Sequence, residues 1–127
     1  MIKRYISWNE IDRLVEVLAG KVLTEIPNID SIHGIPRGGL IPAVLLAHKL
    51  DLPWSNVMLP NTLVVDDICD SGKTIRDSVG VHTATLYTKL SAVAQPTISA
   101  MTLINESQWI VFPWEKHDSE TIQDYLK

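Results

Sequence analysis

The sequence predicts an α/β fold, and three observations carry that reading. Short apolar runs rich in β-branched residues, such as Leu63-Val64-Val65, have the character of strands buried on both faces of a parallel sheet. Between these runs lie helical stretches, so the chain alternates strand and helix. Glycine-containing turns, at 34–40 and 71–74, directly follow predicted strands, where open α/β sheets bind their ligands. With 127 residues, 46% hydrophobic and 20% charged, the chain is predicted to form one Rossmann-like domain over 1–127. Its sheet is expected to be mostly parallel, with a small hood formed by the terminal segments.

Ser7-Trp8-Asn9-Glu10 fits a capping box, and Ile11, Leu14, Val15, Leu18 and Val22 follow at helical spacing. Trp8 is read as a packing residue at the helix start. Pro27-Asn28 ends this helix, and 29–35 is the first central strand. The turn 34–40 leads into an apolar helix from about Ile41 to Leu50. A short strand is expected around Asn56 to Leu59, and Pro60-Asn61 leads into the run ending at Val65. A helix from Thr74 to about Val79, stopped by Gly80, precedes a strand from His82 to Thr88. Ser91 to Pro96 is a loop, Ile98 to Leu103 another strand, and 105–107 a turn into Trp109-Ile110-Val111-Phe112-Pro113-Trp114. Asp118 or Ser119 caps a terminal helix reaching Leu126.

The chain is organised around residues 62–75, where an apolar run breaks into Asp66, Asp67 and Asp70 and then into Ser71-Gly72-Lys73-Thr74. Three carboxylates so close repel by about 4 kcal/mol per pair at about 4 Å under an effective dielectric near 20, so cations or hydroxyls belong among them. Ser71, Gly72 and Thr74 offer a phosphate hydroxyl donors, backbone N–H groups unshielded by a Cβ, and a helix start. An ordinary capped turn is the plain alternative. A Walker-type loop fails on spacing, because its first glycine would fall on Asp67. In the earlier turn, Arg37 sits beside Gly38 and Gly39, where its guanidinium fork suits phosphate oxygens. Lys89 follows a strand and puts a cation at the ligand end of the sheet.

The net charge of −4 provides no general attraction for nucleic acid or an anionic membrane, so neither is expected as a partner. The single cysteine, Cys69, excludes an intrachain disulfide and a cysteine-based zinc cluster. His33, His48 and His82 lack metal spacing and are read as structural. No signal-like or membrane-length apolar run is present, and a cytoplasmic location is expected.

Residues 64–74 resemble the phosphoribosyl-pyrophosphate (PRPP) motif of the type I phosphoribosyltransferases: apolar residues, two acids, two variable positions, then Asp-[Ser/Thr]-Gly-x-Thr. Arg37-Gly38-Gly39-Leu40-Ile41-Pro42 is similar to a run in the xanthine-guanine enzymes of that family, with Pro36 where those carry Ser or Lys. The resemblance implies transfer of a 5-phosphoribosyl group from PRPP to a purine base, a 6-oxopurine favoured, with Mg²⁺ as cofactor. It further implies that Asp66 and Asp67 hold the ribose hydroxyls and Mg²⁺, and that Asp70 is the general base or acid at purine N7. Asp70, Ser71, Gly72, Lys73 and Thr74 would bind the 5′-phosphate. Arg37, Gly38 and Gly39 would bind pyrophosphate, preceded by a non-proline cis bond at Pro36–Arg37. Lys89 would hydrogen-bond the purine O6, Trp109 would stack on the base, and Ile110 would offer backbone groups to its 2-position. A homo-oligomer, dimer or tetramer, is expected.

The chain departs from the family before Thr62, where a long flexible loop that closes over the substrates is replaced by Pro60-Asn61 and their neighbours. That loss favours an alternative, a non-catalytic PRPP or nucleotide sensor on the same fold. Retention of Asp66, Asp67 and Asp70 favours the enzyme.

Overall fold

The computed structural model describes residues 2–78 and 81–116, so the expected terminal helix around 118–126 and the helix stop at Gly80 lie outside the described residues. Strand β1 (Ile2–Tyr5) precedes helix α1 (Trp8–Glu25), which carries the capping box: Glu10 N–H donates to Ser7 Oγ, and Glu10 reaches back to the Ser7 backbone. The apolar spacing becomes a buried stripe of Ile11, Leu14, Val15, Leu18, Ala19 and Val22. Strand β2 (Ser31–Gly34) leads into α2 (Leu40–Leu50), which tolerates Pro42 because a first-turn residue needs no backbone donor. Lys49 Nζ ties the two helices together, 2.6 Å from Glu16 and 3.3 Å from Asp12.

Strands β3 (Thr62–Cys69), β4 (His82–Thr88) and β5 (Ile98–Thr102) complete a four-stranded parallel sheet in the order β2-β3-β4-β5, with α3 (Lys73–Asp77) between β3 and β4. The entrance to β4 and β5 is set by a reciprocal pair, Thr83 N–H to Thr97 Oγ1 and Thr97 N–H to Thr83 Oγ1, each 3.0 Å. Leu63, Val65, Ala84 and Leu86 are fully buried in the core with the α1 stripe.

The hood is a separate two-stranded parallel sheet, β1 with β6 (Gln108–Val111). It joins the start of the chain to the segment containing Trp109, and β1 was not among the elements expected from the sequence. Beyond it Phe112 and Trp114 stack at 4.9 Å, with Trp8 tilted against Trp114 at 5.9 Å. Trp8 therefore packs as expected.

Two expectations are corrected. No strand forms at 56–59; instead a single parallel bridge joins Ile32 to Trp54, and residues 56–61 are exposed. Ser55 Oγ donates to Val57 O and accepts from Val57 N–H, a local turn that competes with strand pairing, and Pro60 has no N–H to offer. The central strand also does not end at Val65. It continues through Asp66 and Asp67 to Cys69, because β4 supplies partners as far as Thr88. Among the described residues, no helix is long and apolar enough to cross a membrane.

Candidate active site

The unequal lengths of the strands create the site. Strand β2 pairs with β3 only as far as Gly34–Val65, after which Ile35 N–H donates once more to Val65 O at 2.9 Å. From Asp66 onward β3 has β4 on one side and the 35–39 turn on the other. After β2 the chain goes to one side, to the Trp54 bridge, and then returns to the other as β3. That reversal is the topological switch point where open α/β sheets hold ligands.

The 35–39 turn lies directly against the acids. Gly39 N–H donates to Ile35 O at 2.8 Å, and a Cβ at Gly39 would run into the Val65 carbonyl and lie 2.9 Å from Asp66 Cα. A Cβ at Gly38 would meet the Asp67 carboxylate. The two glycines are thus needed for close approach, which brings Arg37 and the acids to one crevice. The Pro36–Arg37 peptide is cis, and Arg37 is exposed. Asp66 and Asp67 are half-buried; one oxygen of each accepts a neighbouring backbone N–H, from Asp67 at 2.9 Å and from Ile68 at 2.7 Å.

No cluster of three or more His, Cys, Asp or Glu ligands occurs among the described residues. Mg²⁺ does not require one, because it keeps several waters and takes one or two carboxylates together with substrate phosphates. Hard oxygen donors on adjacent residues, beside a turn suited to a diphosphate, fit that ion.

Gly72 has φ +87°, and a Cβ there would lie 2.6 Å from Ala94 N. The 89–96 loop braces the 71–74 turn from behind: Val93 N–H donates to Ser71 O at 2.8 Å, and Cys69 Sγ lies 3.2 Å from Ala94 O. Cys69 is buried there, which agrees with a packing role. Ser71 Oγ accepts from Lys73 N–H at 3.2 Å, while the Lys73 side chain is exposed.

Asp70 and Lys89 meet. Lys89 Nζ lies 2.6 Å from Asp70 Oδ1, with the side chains 8% and 11% exposed respectively. Lys89 N–H also donates to Cys69 O at 2.9 Å. The sequence assigned these two residues separate tasks and offered no sign that they pair across 19 positions. Trp109 is half-buried on β6 and Ile110 is buried beside it. On the turn before β6, Glu106 accepts from both the hydroxyl and the N–H of Ser91, two residues past Lys89. Those donors hold the Glu106 carboxyl below its usual range, with the Lys89 charge assisting. Glu106 and Gln95 were not singled out in the sequence, because an isolated acid or amide in a polar loop carries no motif.

No family model matches the chain. Among solved structures it is similar to a purine phosphoribosyltransferase from Pyrococcus horikoshii, at 30% identity and a TM-score of 0.79, covering 94% of this chain and 99% of that one. Among curated proteins it is similar to a xanthine-guanine phosphoribosyltransferase from Cereibacter sphaeroides, 29% identical over 145 residues, covering 87% of this chain and 86% of the relative. A xanthine-guanine-hypoxanthine phosphoribosyltransferase from Helicobacter pylori shares the fold at a TM-score of 0.77 and 21% identity, over 89% of this chain and 93% of that one. The Cereibacter alignment takes 145 positions to span 87% of a 127-residue chain, so a few dozen of its positions have no counterpart here.

Proposed function

From the premise that the chain belongs to the type I purine phosphoribosyltransferases, we propose that its purine is a 6-oxopurine and that the buried Lys89–Asp70 pair reads it. The enzyme transfers the 5-phosphoribosyl group of PRPP to a purine base, forming a nucleoside 5′-monophosphate and pyrophosphate. A 6-oxopurine carrying its proton on N7 presents an acceptor, O6, next to a donor, N7–H. An ammonium beside a carboxylate at 2.6 Å is the complementary pattern. Adenine would turn its 6-amino donor toward the Lys89 ammonium, setting donor against donor at a nearly buried position where O6 would have accepted.

In the reaction the purine N9 forms a bond to the anomeric carbon as the bond to the pyrophosphate oxygen breaks, and the N7 proton passes to the Asp70 carboxylate. Ser71 to Thr74 hold the 5′-phosphate, and Asp66 and Asp67 hold the ribose hydroxyls. Arg37 with the Gly38 N–H receives the leaving pyrophosphate, while Gly39, whose N–H is held by Ile35 O, keeps the turn close to β3. Asp66 and Asp67 would hold Mg²⁺, which would supply positive charge to offset the charge developing on the leaving pyrophosphate. Trp109 stacks on the base, with the Ile110 backbone beside the 2-position. The exposed apolar row of Trp54, Val57, Met58 and Leu59 supports a homo-oligomer as the working form.

Incubation with PRPP, Mg²⁺ and each purine base, reading nucleotide formed, tests this assignment. Guanine, xanthine or hypoxanthine are expected to turn over and adenine is not. Preferential use of adenine would remove the assigned role of Lys89. Tight PRPP binding without turnover of any base would select the sensor instead.

A further inference from the structure

We propose that Glu106 is a positioning residue for the purine site, clamping the loop that carries Lys89 to the turn that leads into Trp109. The inference rests on the purine reading above, and it identifies what sets the distance between the group that reads the base edge and the ring that covers its face.

The Lys89 side of this link is held on several sides. Its N–H donates to Cys69 O at 2.9 Å, and its carbonyl accepts from Gln95 Nε2 at 2.8 Å. Gln95 Oε1 in turn accepts from Thr88 Oγ1 at 2.9 Å. Two residues on, Ser91 gives Glu106 both its hydroxyl, to Oε1, and its N–H, to Oε2 at 3.4 Å. On the other side Gln108 N–H closes the 105–108 turn on Asn105 O at 3.2 Å, and Trp109 follows at once on β6. Strand β6 takes its strand pairing from β1 alone, so the hood that carries Trp109 is not part of the four-stranded sheet that carries Lys89. The Ser91–Glu106 contact joins the two bodies beside the base site. The carboxylate is well suited to the task, since the Ser91 hydroxyl and N–H and the nearby Lys89 charge all favour its ionised, accepting form. Ile110 and Phe112 anchor the hood in the common core, with Phe112 6.2 Å from Tyr87 of β4, and the Ser91–Glu106 contact adds the polar link that fixes the Lys89 loop against the turn before Trp109.

The test compares Glu106→Ala, Ser91→Ala and the double variant with the wild-type protein, measuring kcat, the purine KM, the PRPP Kd and Tm. Loss of a hydrogen-bonded clamp is expected to raise the purine KM by about three- to tenfold, leaving kcat at saturating purine and the PRPP Kd unchanged. The double variant is expected to be no worse than the poorer single variant, because both remove one contact. Glu106→Gln, which keeps an acceptor oxygen for the Ser91 hydroxyl, is expected to recover much of the loss. An unchanged purine KM in both single variants would overturn the proposal. So would a joint change of purine KM, PRPP Kd and Tm, which marks a loop that merely supports the fold. Calorimetry with a purine nucleotide separates the levels: wild-type protein that binds none overturns the purine reading and this inference together, whereas equal binding by wild type and Glu106→Ala overturns the clamp alone.

Discussion

The Asp70–Lys89 contact bears on stability and on the proposed chemistry alike. Removing one partner of a buried pair leaves an uncompensated charge, so Lys89→Met is expected to destabilise the protein by up to about 3 kcal/mol. Asp70→Asn keeps the shape but cannot accept the N7 proton, and is expected to lower kcat by about 100-fold or more with little change in the PRPP Kd. Combining the two substitutions is expected to restore part of the lost Tm and none of the activity; restored turnover would show that Asp70 is a structural partner only. Glu106 supplies a second test at this scale. Its carboxyl titrates below the ordinary value of 4.5 chiefly because of the Ser91 hydroxyl. A depressed folded-state pKa contributes stability above the unfolded pKa, and that contribution is lost as pH falls through the folded one. Titration of Glu106 followed by NMR is expected to move back toward 4.5 in Ser91→Ala, and an unmoved midpoint would assign the shift elsewhere.

At the scale of elements, the 71–74 turn proposed to hold the 5′-phosphate depends on its neighbour. Gly72 combines a left-handed backbone with the backbone of Ala94 behind it, so Gly72→Ala has neither the conformation nor the space. PRPP binding measured by calorimetry is expected to collapse in this variant, while wild-type affinity would mean that the turn does not form the phosphate site. Ser71→Ala with Thr74→Ala is expected to weaken PRPP binding, as is EDTA, if Mg²⁺ bridges the ligand to Asp66 and Asp67. Most elements were legible in the sequence because their signals are local: the Ser7–Glu10 box, the 3.6-residue apolar spacing of α1, and the apolar run of β4. The missing strand at 56–59 was misread because Val57, Met58 and Leu59 have strand-like side chains but no strand to pair with.

For the whole molecule, the consequence is access of water. The chain passes Trp54 beside Ile32, Ser55 O lies 2.9 Å from His33 Nδ1, and 62 is reached beside Ser31. The 55–61 connection therefore turns back below the Gly34 and Val65 level from which the site opens. A closing loop would exclude water while the anomeric carbon is cationic, so this site is expected to hydrolyse some PRPP when purine is absent. Pyrophosphate released is compared with nucleotide formed across protein concentrations. Strict one-to-one coupling at every dilution would show that the hood or a neighbouring subunit supplies the cover. Sequence alone determined the α/β alternation and the positions of the two glycine turns at the ends of strands, because strand patterning, capping and turn chemistry are properties of consecutive residues. Only the tertiary structure decided that β3 runs on through its acids, that Asp70 meets Lys89, and that Glu106 meets Ser91. Those outcomes depend on where β4, the 89–96 loop and the chain's two ends come to lie, and contacts between residues distant in the chain are specified by packing rather than by any local pattern.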